Sequence, residues 1–430
     1  MNYCKRCLYS ENHPLNITFD KEGVCSGCRV HEEKDELDWE ERGKRLNNLF
    51  KDFRNKSGRS YDCIVPVSGA RASYFIVHIV KNVYKMNPLL VTYNKQYNTK
   101  TGIRNLAYLR TTFGCDMLTQ TVSPKTVKKI TRATLKKIGS MYWHCLAGQT
   151  VFPVQNAVRL KIPLIIWGAH QGCDQVGMFS HLDEVEMTRK YRKEHDLMGY
   201  EAEDLVGEDT GLTEDDVRAF VYPHDKELEK VGVRGIYLSN YMRWDSKRQH
   251  EEMINRYGYE TLGQRRTFDV YNDVDCFHYS GIHDHIKYLK HGYGKVVDHA
   301  TREIRLKRLT REEGIDFVER YETIQPDPGA LKLFLDWIGL TKERLYDLID
   351  SHRSSSVWKK VPGAKWQLND TIKSHKQDKG VDSVRLEKKG KCEFRLTTPK
   401  DPGSTEDEYV LIGRGYVDNW KGVAAGDVNA

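Results

Sequence analysis

The sequence predicts an α/β protein with a doubly wound, mostly parallel sheet, an N-terminal zinc-binding module and a helical second half. Three observations predict this fold. Strand-like and helix-like stretches alternate between residues 63 and 168, four cysteines lie within the first 28 residues, and residues 201–355 are mostly helical in pattern. Alternation of apolar strands with helices is typical of a parallel sheet covered by helices on both faces.

The four N-terminal cysteines form two CxxC pairs separated by 17 residues: Cys4, Cys7, Cys25 and Cys28. This spacing suits a structural Zn²⁺ held by four thiolates. The segment between the pairs has too little apolar mass to fold alone, so metal binding would supply the missing stability. Four unrelated cysteines are the alternative interpretation. A redox pair is a weaker one, because no thioredoxin-like strand and helix surround the motif.

The alternating elements follow a charged amphipathic helix that occupies residues 31–60. We expect strands at 63–67, 88–93, 116–122 and 162–168, and helices at 73–86, 101–113, 125–139 and 146–161. Ligands of parallel sheets bind outside the carboxyl ends of the strands. Those ends are predicted at residues 68–73, 93–95 and 168–171.

Composition and length suit a chain of several domains, at 430 residues, 39% hydrophobic and 30% charged. We predict a zinc-binding module at 1–35, an α/β domain at 36–200, a helical substrate or partner region at 201–355 and a basic β-rich extension at 356–430. No run approaches the roughly 18 apolar residues of a membrane helix. The first residues lack a signal-peptide pattern, so we expect a cytoplasmic protein with no membrane partner.

The formal charge of +7 is concentrated in residues 359–400, which hold ten Lys and two Arg against five acidic residues. Such a segment suits contact with nucleic acid, an anionic substrate or an acidic partner, or a solvated surface. No RNA-binding motif accompanies it, so nucleic acid is not expected as a partner. The last residues, GVAAGDVNA, are predicted to be disordered.

The stretch CIVPVSGARASYF, residues 63–75, has the frame of a phosphate-binding loop. An apolar strand runs into a Ser-Gly turn, and an amphipathic helix follows. In the pyrophosphate-binding loop of ATP-pyrophosphatases the pattern is Ser-Gly-Gly-x-Asp-Ser. Glycines let backbone N–H groups converge on phosphate oxygens, and the helix N-terminus adds partial positive charge. Ser68, Gly69 and Ser73 match this pattern, and Arg71 occupies the variable position.

Several further segments carry a resemblance to one family. They are the CxxC pairs, NPLLVTYN after the loop helix, WHC at 143–145, IPLIIWG at 162–168, GIYLSNYMRWD at 235–245 and GIHDHIKYLKHGYGKVVDHATREIRLKRLTREEG at 281–314. Together they resemble the N-acetyl sugar amidotransferase family of PP-loop ATPases, which acts in bacterial surface-glycan and lipopolysaccharide biosynthesis. The resemblance runs from Met1 to about Asp370.

The resemblance implies an activity in which the acetamido group of a nucleotide-linked sugar becomes an acetamidino group. ATP, with Mg²⁺, would activate the amide oxygen by adenylation and release pyrophosphate. Ammonia would then attack the imidate carbon and AMP would leave. The ammonia would come from a separate glutaminase partner, and no G-x-C-x-G nucleophile elbow occurs in this chain.

Three positions depart from the family pattern. Ala70 replaces the second glycine, which would strain the loop if its φ were positive. Ala72 and Ala169 stand where the family carries carboxylates that would act in catalysis, and their loss predicts weak handling of Mg²⁺ and weak ATP binding. The chain is therefore either an amidotransferase with an impaired loop or a non-catalytic scaffold of the same fold that binds a nucleotide sugar or a partner.

Five polar side chains are candidate substrate contacts: His144, His170, His283, His285 and Arg243. Surface or core roles are the alternatives for the histidines, and a metal site is a less favoured one. A Cys-His nucleophile at 144–145 is disfavoured because adjacent side chains diverge.

A tRNA-thiolating enzyme is the third functional hypothesis, since that class also joins a PP-loop to zinc knuckles. It predicts a second cysteine pair, and Cys115, Cys145, Cys173 and Cys276 show no CxxC spacing.

Overall fold

A five-stranded parallel sheet organises the first half of the chain. The computed structural model describes residues 1–55, 57–58, 60–363, 365–378 and 392–399. The strands are β1 (Cys63–Pro66), β2 (Pro88–Tyr93), β3 (Met117–Gln120), β4 (Leu164–Trp167) and β5 (Arg234–Tyr237), in the order β3-β2-β1-β4-β5. Every neighbouring pair is parallel. The order reverses between β1 and β4, which is the point where such sheets open a crevice for ligands.

Helices cover both faces of the sheet, as predicted. Alternate residues of a strand enter opposite cores: Val65 packs with one apolar cluster and Ile64 with another. The first half carries α1 (Ser26–Glu36), α2 (Trp39–Phe53), α3 (Ser73–Val77), α4 (Lys100–Phe113), α5 (Pro124–Ile138) and α6 (Trp143–Leu160). Local signals fix their ends. Asp38 caps α2, Thr99 caps α4, and left-handed Gly114 and Gly139 end α4 and α5.

The second half is largely helical, which confirms that part of the prediction. Its helices are α7 (Arg189–Tyr191), α8 (Glu214–Val217), α9 (Asp225–Val231), α10 (Ser246–Tyr257), α11 (Asp284–His291), α12 (Lys295–Arg305), α13 (Arg311–Tyr321), α14 (Pro328–Ile338) and α15 (Lys342–Asp350). An antiparallel hairpin follows, formed by β6 (Trp358–Val361) and β7 (Lys365–Leu368). No helix in the described ranges is long and apolar enough to cross a membrane.

Element boundaries differ from the sequence prediction at three places. The helix after β1 is α-helical only to Val77 and continues as a π-helical segment, His78–Val83. The third strand is four residues long rather than seven. Helix α6 begins at Trp143, three residues before the predicted start, so the WHC segment forms its first turn. The four-part domain division stays a prediction. The β-like runs and the tail predicted for residues 379–391 and 400–430 lie outside the described residues.

Candidate functional site

The loop that follows β1, residues 68–73, is braced by its own serines. The N–H of Ser68 donates to Oγ of Ser73 at 3.0 Å, and the N–H of Ala70 donates to Oγ of Ser68 at 3.2 Å. Ser73 is also the first residue of α3. We call residues 68–73 the β1 loop. Its two serines therefore hold the turn in shape from within.

Three backbone donors of the β1 loop have no acceptor in the part of the chain that the structure describes. Within the described residues, no acceptor is found for the N–H groups of Gly69, Arg71 and Ala72. They lie at the N-terminus of the helix that runs from Ser73 to Val83, where partial positive charge collects. Arg71 has a positive φ of 52°, whereas Ala70 is not in the left-handed region. The condition for strain at Ala70 is therefore not met, because the turn places the left-handed residue one position later.

Close backbone packing explains the glycine at position 69. A methyl group on Gly69 would lie 1.9 Å from the carbonyl oxygen of Gly102, and one on Gly102 would lie 2.3 Å from Cα of Asp275. The backbone of the β1 loop therefore packs directly against the first turn of α4. That turn packs in the same way against the segment around Asp275. Asn105 joins the same layers, because its amide donates to the carbonyl oxygens of Gly69 and Glu260 at 3.1 and 2.9 Å.

A charged cluster borders the β1 loop. Nε of Arg71 donates to Asp273 at 2.9 Å, and Lys295 donates to the other oxygen of the same carboxylate. Burial raises the pKa of Asp273 but the two cations lower it, with a net shift well below the usual range. Arg71 and Lys295 both lie over the ring of Tyr279, at 5.0 and 3.4 Å from its centroid. The Arg71 side chain remains 47% exposed, so this cluster offers a cation to solvent.

A second ion pair lies beyond the end of β2. Nζ of Lys95 donates to Oδ2 of Asp275 at 2.7 Å, and both side chains are buried. Burial lowers the pKa of Lys95 and the Asp275 carboxylate raises it, with a net upward shift. Asp273 and Asp275 are thus each matched by a lysine. Neither carboxylate is free to bind a metal without breaking an ion pair.

The two positions expected to carry carboxylates have only methyl groups. Ala72 precedes α3, and Ala169 follows β4 by two residues, so both lie at the carboxyl edge of the sheet. Both side chains pack against the apolar cluster that surrounds α3. The residues present therefore do not fit a Mg²⁺ ion at this edge, because hard cations require oxygen ligands.

His144 and His170 are both fully buried. His144 lies between the hydroxyls of Tyr93 and Tyr97, at 3.0 and 3.2 Å, and burial lowers its pKa to about 3. His170 follows β4 within a set of aromatic rings. Neither of its ring nitrogens has a partner among the described residues, and burial lowers its pKa to about 4. Both imidazoles are therefore neutral near pH 7.

The other three candidate side chains lie in three different places. His283 stacks on Tyr279 with 5.2 Å between ring centroids, next to the charged cluster. His285 lies on α11 and contacts the Tyr346 hydroxyl of α15 at 3.2 Å. Arg243 contacts Asp35 and the carbonyl oxygen of Lys34 near the end of α1. Only His283 is thus brought beside the β1 loop, and the substrate roles of all five stay predictions.

The four N-terminal cysteines form a buried cluster. Their sulfur atoms all lie within 4.8 Å of one another, and those of Cys7 and Cys25 are 3.6 Å apart. Tetrahedral Zn–S bonds of about 2.3 Å place sulfur atoms roughly 3.8 Å apart. The backbone N–H groups of Arg6, Cys7 and Cys25 point at Sγ of Cys4, at 3.3–3.4 Å. The arrangement fits a structural metal such as zinc. Among the described residues it is the one group with metal-ligand geometry.

A distant arginine completes this cluster. Arg305, at the end of α12, donates to Sγ of Cys28 at 3.4 Å and lies 3.6 Å from Sγ of Cys25. Its other N–H groups donate to the carbonyl oxygens of Asp174 and Gln175. A buried guanidinium beside thiolates offsets the negative charge of a four-cysteine zinc site. Arg305 therefore joins the cysteine cluster to α12 and to the loop after β4.

Sequence reasoning missed most of these supporting residues. Asp273, Asp275 and Arg305 lie more than 170 residues from Arg71, Lys95 and Cys28, which they contact, and Lys295 pairs with Asp273. One signal was available. The segment YNDVDCF places two aspartates two residues apart in an otherwise apolar stretch, which is unusual for a simple surface loop.

Comparison with known proteins finds one matching domain. Residues 251–373 match the family described as LPS biosynthesis protein WbpG-like, C-terminal domain. A stretch of 115 residues is 23% identical to an uncharacterized protein of Methanocaldococcus jannaschii, and it covers 27% of this chain and 41% of that protein. The chain thus spans less than half of the archaeal relative. The matched domain contains Arg305, which contacts the cysteine cluster, and Asp273, which contacts Arg71 of the β1 loop. Asp275 and Lys295 of the same domain pair with Lys95 and Asp273.

Proposed function

We propose that this chain is the synthetase component of an ATP-dependent amidotransferase that modifies a nucleotide-linked N-acetyl sugar in lipopolysaccharide biosynthesis. The observation that carries the proposal is the β1 loop, which has three N–H groups without an acceptor among the described residues and packs through α4 against the WbpG-like domain. Converging backbone donors at a helix N-terminus bind phosphate oxygens. The family match supplies the lipopolysaccharide context.

The chemistry follows from the poor leaving ability of an amide oxygen. That oxygen attacks the α-phosphorus of ATP, which breaks the α–β bond and releases pyrophosphate. Ammonia adds to the imidate carbon, and the C–O bond breaks to release AMP and leave an acetamidino group. The free N–H groups of Gly69, Arg71 and Ala72 would hold the β- and γ-phosphates. The exposed Arg71 guanidinium would offset the charge that develops on the leaving pyrophosphate.

Ammonia must come from outside the chain in this proposal. The sequence has no glutaminase nucleophile motif, so a separate glutaminase partner would supply it. Free ammonia at alkaline pH should replace that partner, because the unprotonated amine is the nucleophile. His144 and His170 are neutral at such pH values, so neither changes protonation during this assay.

A non-catalytic scaffold of the same fold is the second candidate function. The observation that favours it concerns carboxylates at the loop: Ala72 and Ala169 have none, and Asp273 and Asp275 are held in ion pairs. The loop would then bind a nucleotide or nucleotide sugar without turnover.

One experiment separates the two. AMP release is measured with N-acetylated nucleotide sugars and ammonium salt, for the wild type and for a variant with Ala70→Gly, Ala72→Asp and Ala169→Glu. A matched control carries Ala70→Gly, Ala72→Asn and Ala169→Gln, which fill the same space without charge. Because the residues present do not fit Mg²⁺, we expect little AMP from the wild type or the amide control, much more from the carboxylate variant with ammonium salt, and none with glutamine alone. If the carboxylate variant yields no AMP with any acetamido sugar, the scaffold assignment replaces the enzyme.

A further inference from the structure

A cavity of about 720 Å³ lies on the side of α10 away from the β1 loop. It opens where the ends of α1 and α12 meet the first turn of α10. Six cationic side chains line it: Arg243, Lys247, Arg248, Arg305, Lys307 and Arg308. Three carboxylates also line it, from Asp35, Asp245 and Glu251. We call this the cationic cavity. Its lining carries three more positive than negative charges.

The carboxylates of the cationic cavity are all engaged. Asp35 pairs with Arg243 and Lys307, and Glu251 pairs with Lys247. Both carboxylate oxygens of Asp245 accept hydrogen bonds from the Arg308 guanidinium, at 2.7 and 3.0 Å. These ion pairs hold the paired cations in place, but the lining of the cavity as a whole keeps a positive charge.

The Arg248 guanidinium differs from the other cations that line the cavity. Within the described residues, no hydrogen bond or ion pair is found for the side chain of Arg248, which is exposed on the first turn of α10. Its neighbours Lys247 and Arg308 are held in their own pairs. A free guanidinium among fixed cations is an arrangement that attracts a multivalent anion with paired oxygens.

Shape and charge favour a diphosphate over other anions. The volume lies in the usual range for small-ligand sites of about 300–1,000 Å³. A diphosphate carries two to three negative charges on closely spaced oxygens, which matches an excess of three cations. A lone carboxylate would leave most of that charge unbalanced. Arginine forks bind phosphate oxygens in pairs, whereas lysine contributes a point charge.

We propose that the cationic cavity binds a diphosphate group, with Arg248 as its principal contact. The group comes either from inorganic pyrophosphate or from a nucleoside diphosphate ester. The cavity and the β1 loop flank the same helix, since Gln249 and His250 lie beside Arg71 and Ala72 on the other side of α10. A helix is about 10 Å across with its side chains. A diphosphate in the cavity would therefore lie within the length of a nucleotide sugar from the β1 loop.

Calorimetric titration of the full chain tests this site without turnover. The probes are pyrophosphate, uridine diphosphate and uridine monophosphate, in Mg²⁺-free buffer at moderate salt. We expect about one diphosphate per chain in addition to any bound at the β1 loop, and Arg248→Gln should weaken the binding at the cavity about tenfold or more. Arg256→Gln is the matched control, because Arg256 lies on the same helix outside the cavity and pairs with Glu252. Its affinity should stay within about twofold of the wild type.

The β1 loop is the other anion site, so the titration is repeated in an Ala72→Asp background. Without Mg²⁺ that carboxylate repels phosphate at the loop and leaves the cavity unchanged. Binding that survives Ala72→Asp and is lost in Arg248→Gln supports the proposal. Equal affinities of Arg248→Gln and Arg256→Gln overturn it, as does a monophosphate that binds as tightly as the diphosphates. Binding of pyrophosphate without uridine diphosphate identifies the inorganic ion as the source, and binding of both identifies the ester. These outcomes do not depend on whether the chain amidates a sugar.

Discussion

The cysteine cluster and the β1 loop are two small motifs supported by the same domain in two different ways. Arg305 of the WbpG-like domain donates to the thiols of the cluster, and the backbone at Asp275 of that domain packs behind the loop. The cluster has all four of its ligand side chains. The loop has its backbone conformation but lacks the side chains expected at Ala72 and Ala169.

This difference separates two kinds of site. In the cluster, the ligand side chains also form the core of the module, since all four are buried and pack with Leu8, Tyr9 and Val24. Losing one ligand should therefore damage the fold. In the loop, the conformation is held by Gly69, Ser68 and Ser73, so side chains at 70 and 72 can change without unfolding the chain.

Removing one ligand of the cysteine cluster should have the largest effect. Cys28→Ser should lower the free energy of unfolding by about 5 kcal/mol or more, because structural zinc binding is itself folding free energy. Zinc content and urea unfolding measure it. Cys115→Ser is the matched control, since Cys115 is a buried thiol outside the cluster. Similar losses in the two variants would show that the cluster holds no metal.

Replacing the arginine beside the cluster should have the next largest effect. Arg305→Met leaves two carbonyl oxygens without their donor and removes the charge beside the thiols, so we expect a loss of roughly 3 kcal/mol. Zinc should also transfer faster to a chromogenic chelator. Arg320→Met, at an exposed position of α13, should change neither quantity. If the rate of zinc transfer is unchanged in Arg305→Met, the charge of Arg305 does not stabilise the metal and the residue acts only through packing.

The buried His144, which contacts Tyr93 of β2, should make the stability of the chain depend on pH. Because the pKa of His144 is lowered to about 3, the unfolded chain binds a proton below its pKa of about 6.5 and the folded chain does not. Stability is therefore lost as pH falls from about 6.5. His144→Gln should remove about 2 kcal/mol of the loss between pH 7 and pH 5. Urea unfolding at both pH values measures this, with exposed His224→Gln as the control. An unaltered difference in His144→Gln would mean that the ring is protonated in the fold.

The smallest effects are expected at the loop itself. Ala72→Asp should tighten Mg-ATP binding about tenfold, since it restores an oxygen ligand at the carboxyl edge of the sheet. Ala70→Gly alone should change the affinity less than about twofold, because Ala70 is not in the left-handed region. Stability should stay nearly constant in both. Calorimetry that finds no gain for the two changes combined would count against ATP as the ligand.

The contrast also explains which parts could be predicted from sequence. Cysteine spacing and the alternation of elements are local signals, so the cluster and the parallel sheet were predicted correctly. The first turn of α6 was missed because its residues, Trp143, His144 and Cys145, are all buried. Consecutive buried positions show no alternation between an apolar and a polar helix face. The positions of His283 and His285 could not be separated either. A π-helical segment, Tyr279–His283, precedes α11, and the two side chains face different neighbours.

Sequence alone was enough to predict the four-cysteine cluster, the doubly wound sheet and the position of the loop after β1. Each of these depends on residues that are close along the chain or on their periodicity. Tertiary contacts hold Asp273 and Asp275 in ion pairs and bring Arg305 against the thiols. They leave Arg248 without a partner among the described residues. These facts depend on contacts between residues far apart in sequence, such as Arg71 with Asp273 and Cys28 with Arg305. Charge pairing acts through space over a few ångströms, and folding alone fixes which distant groups come that close.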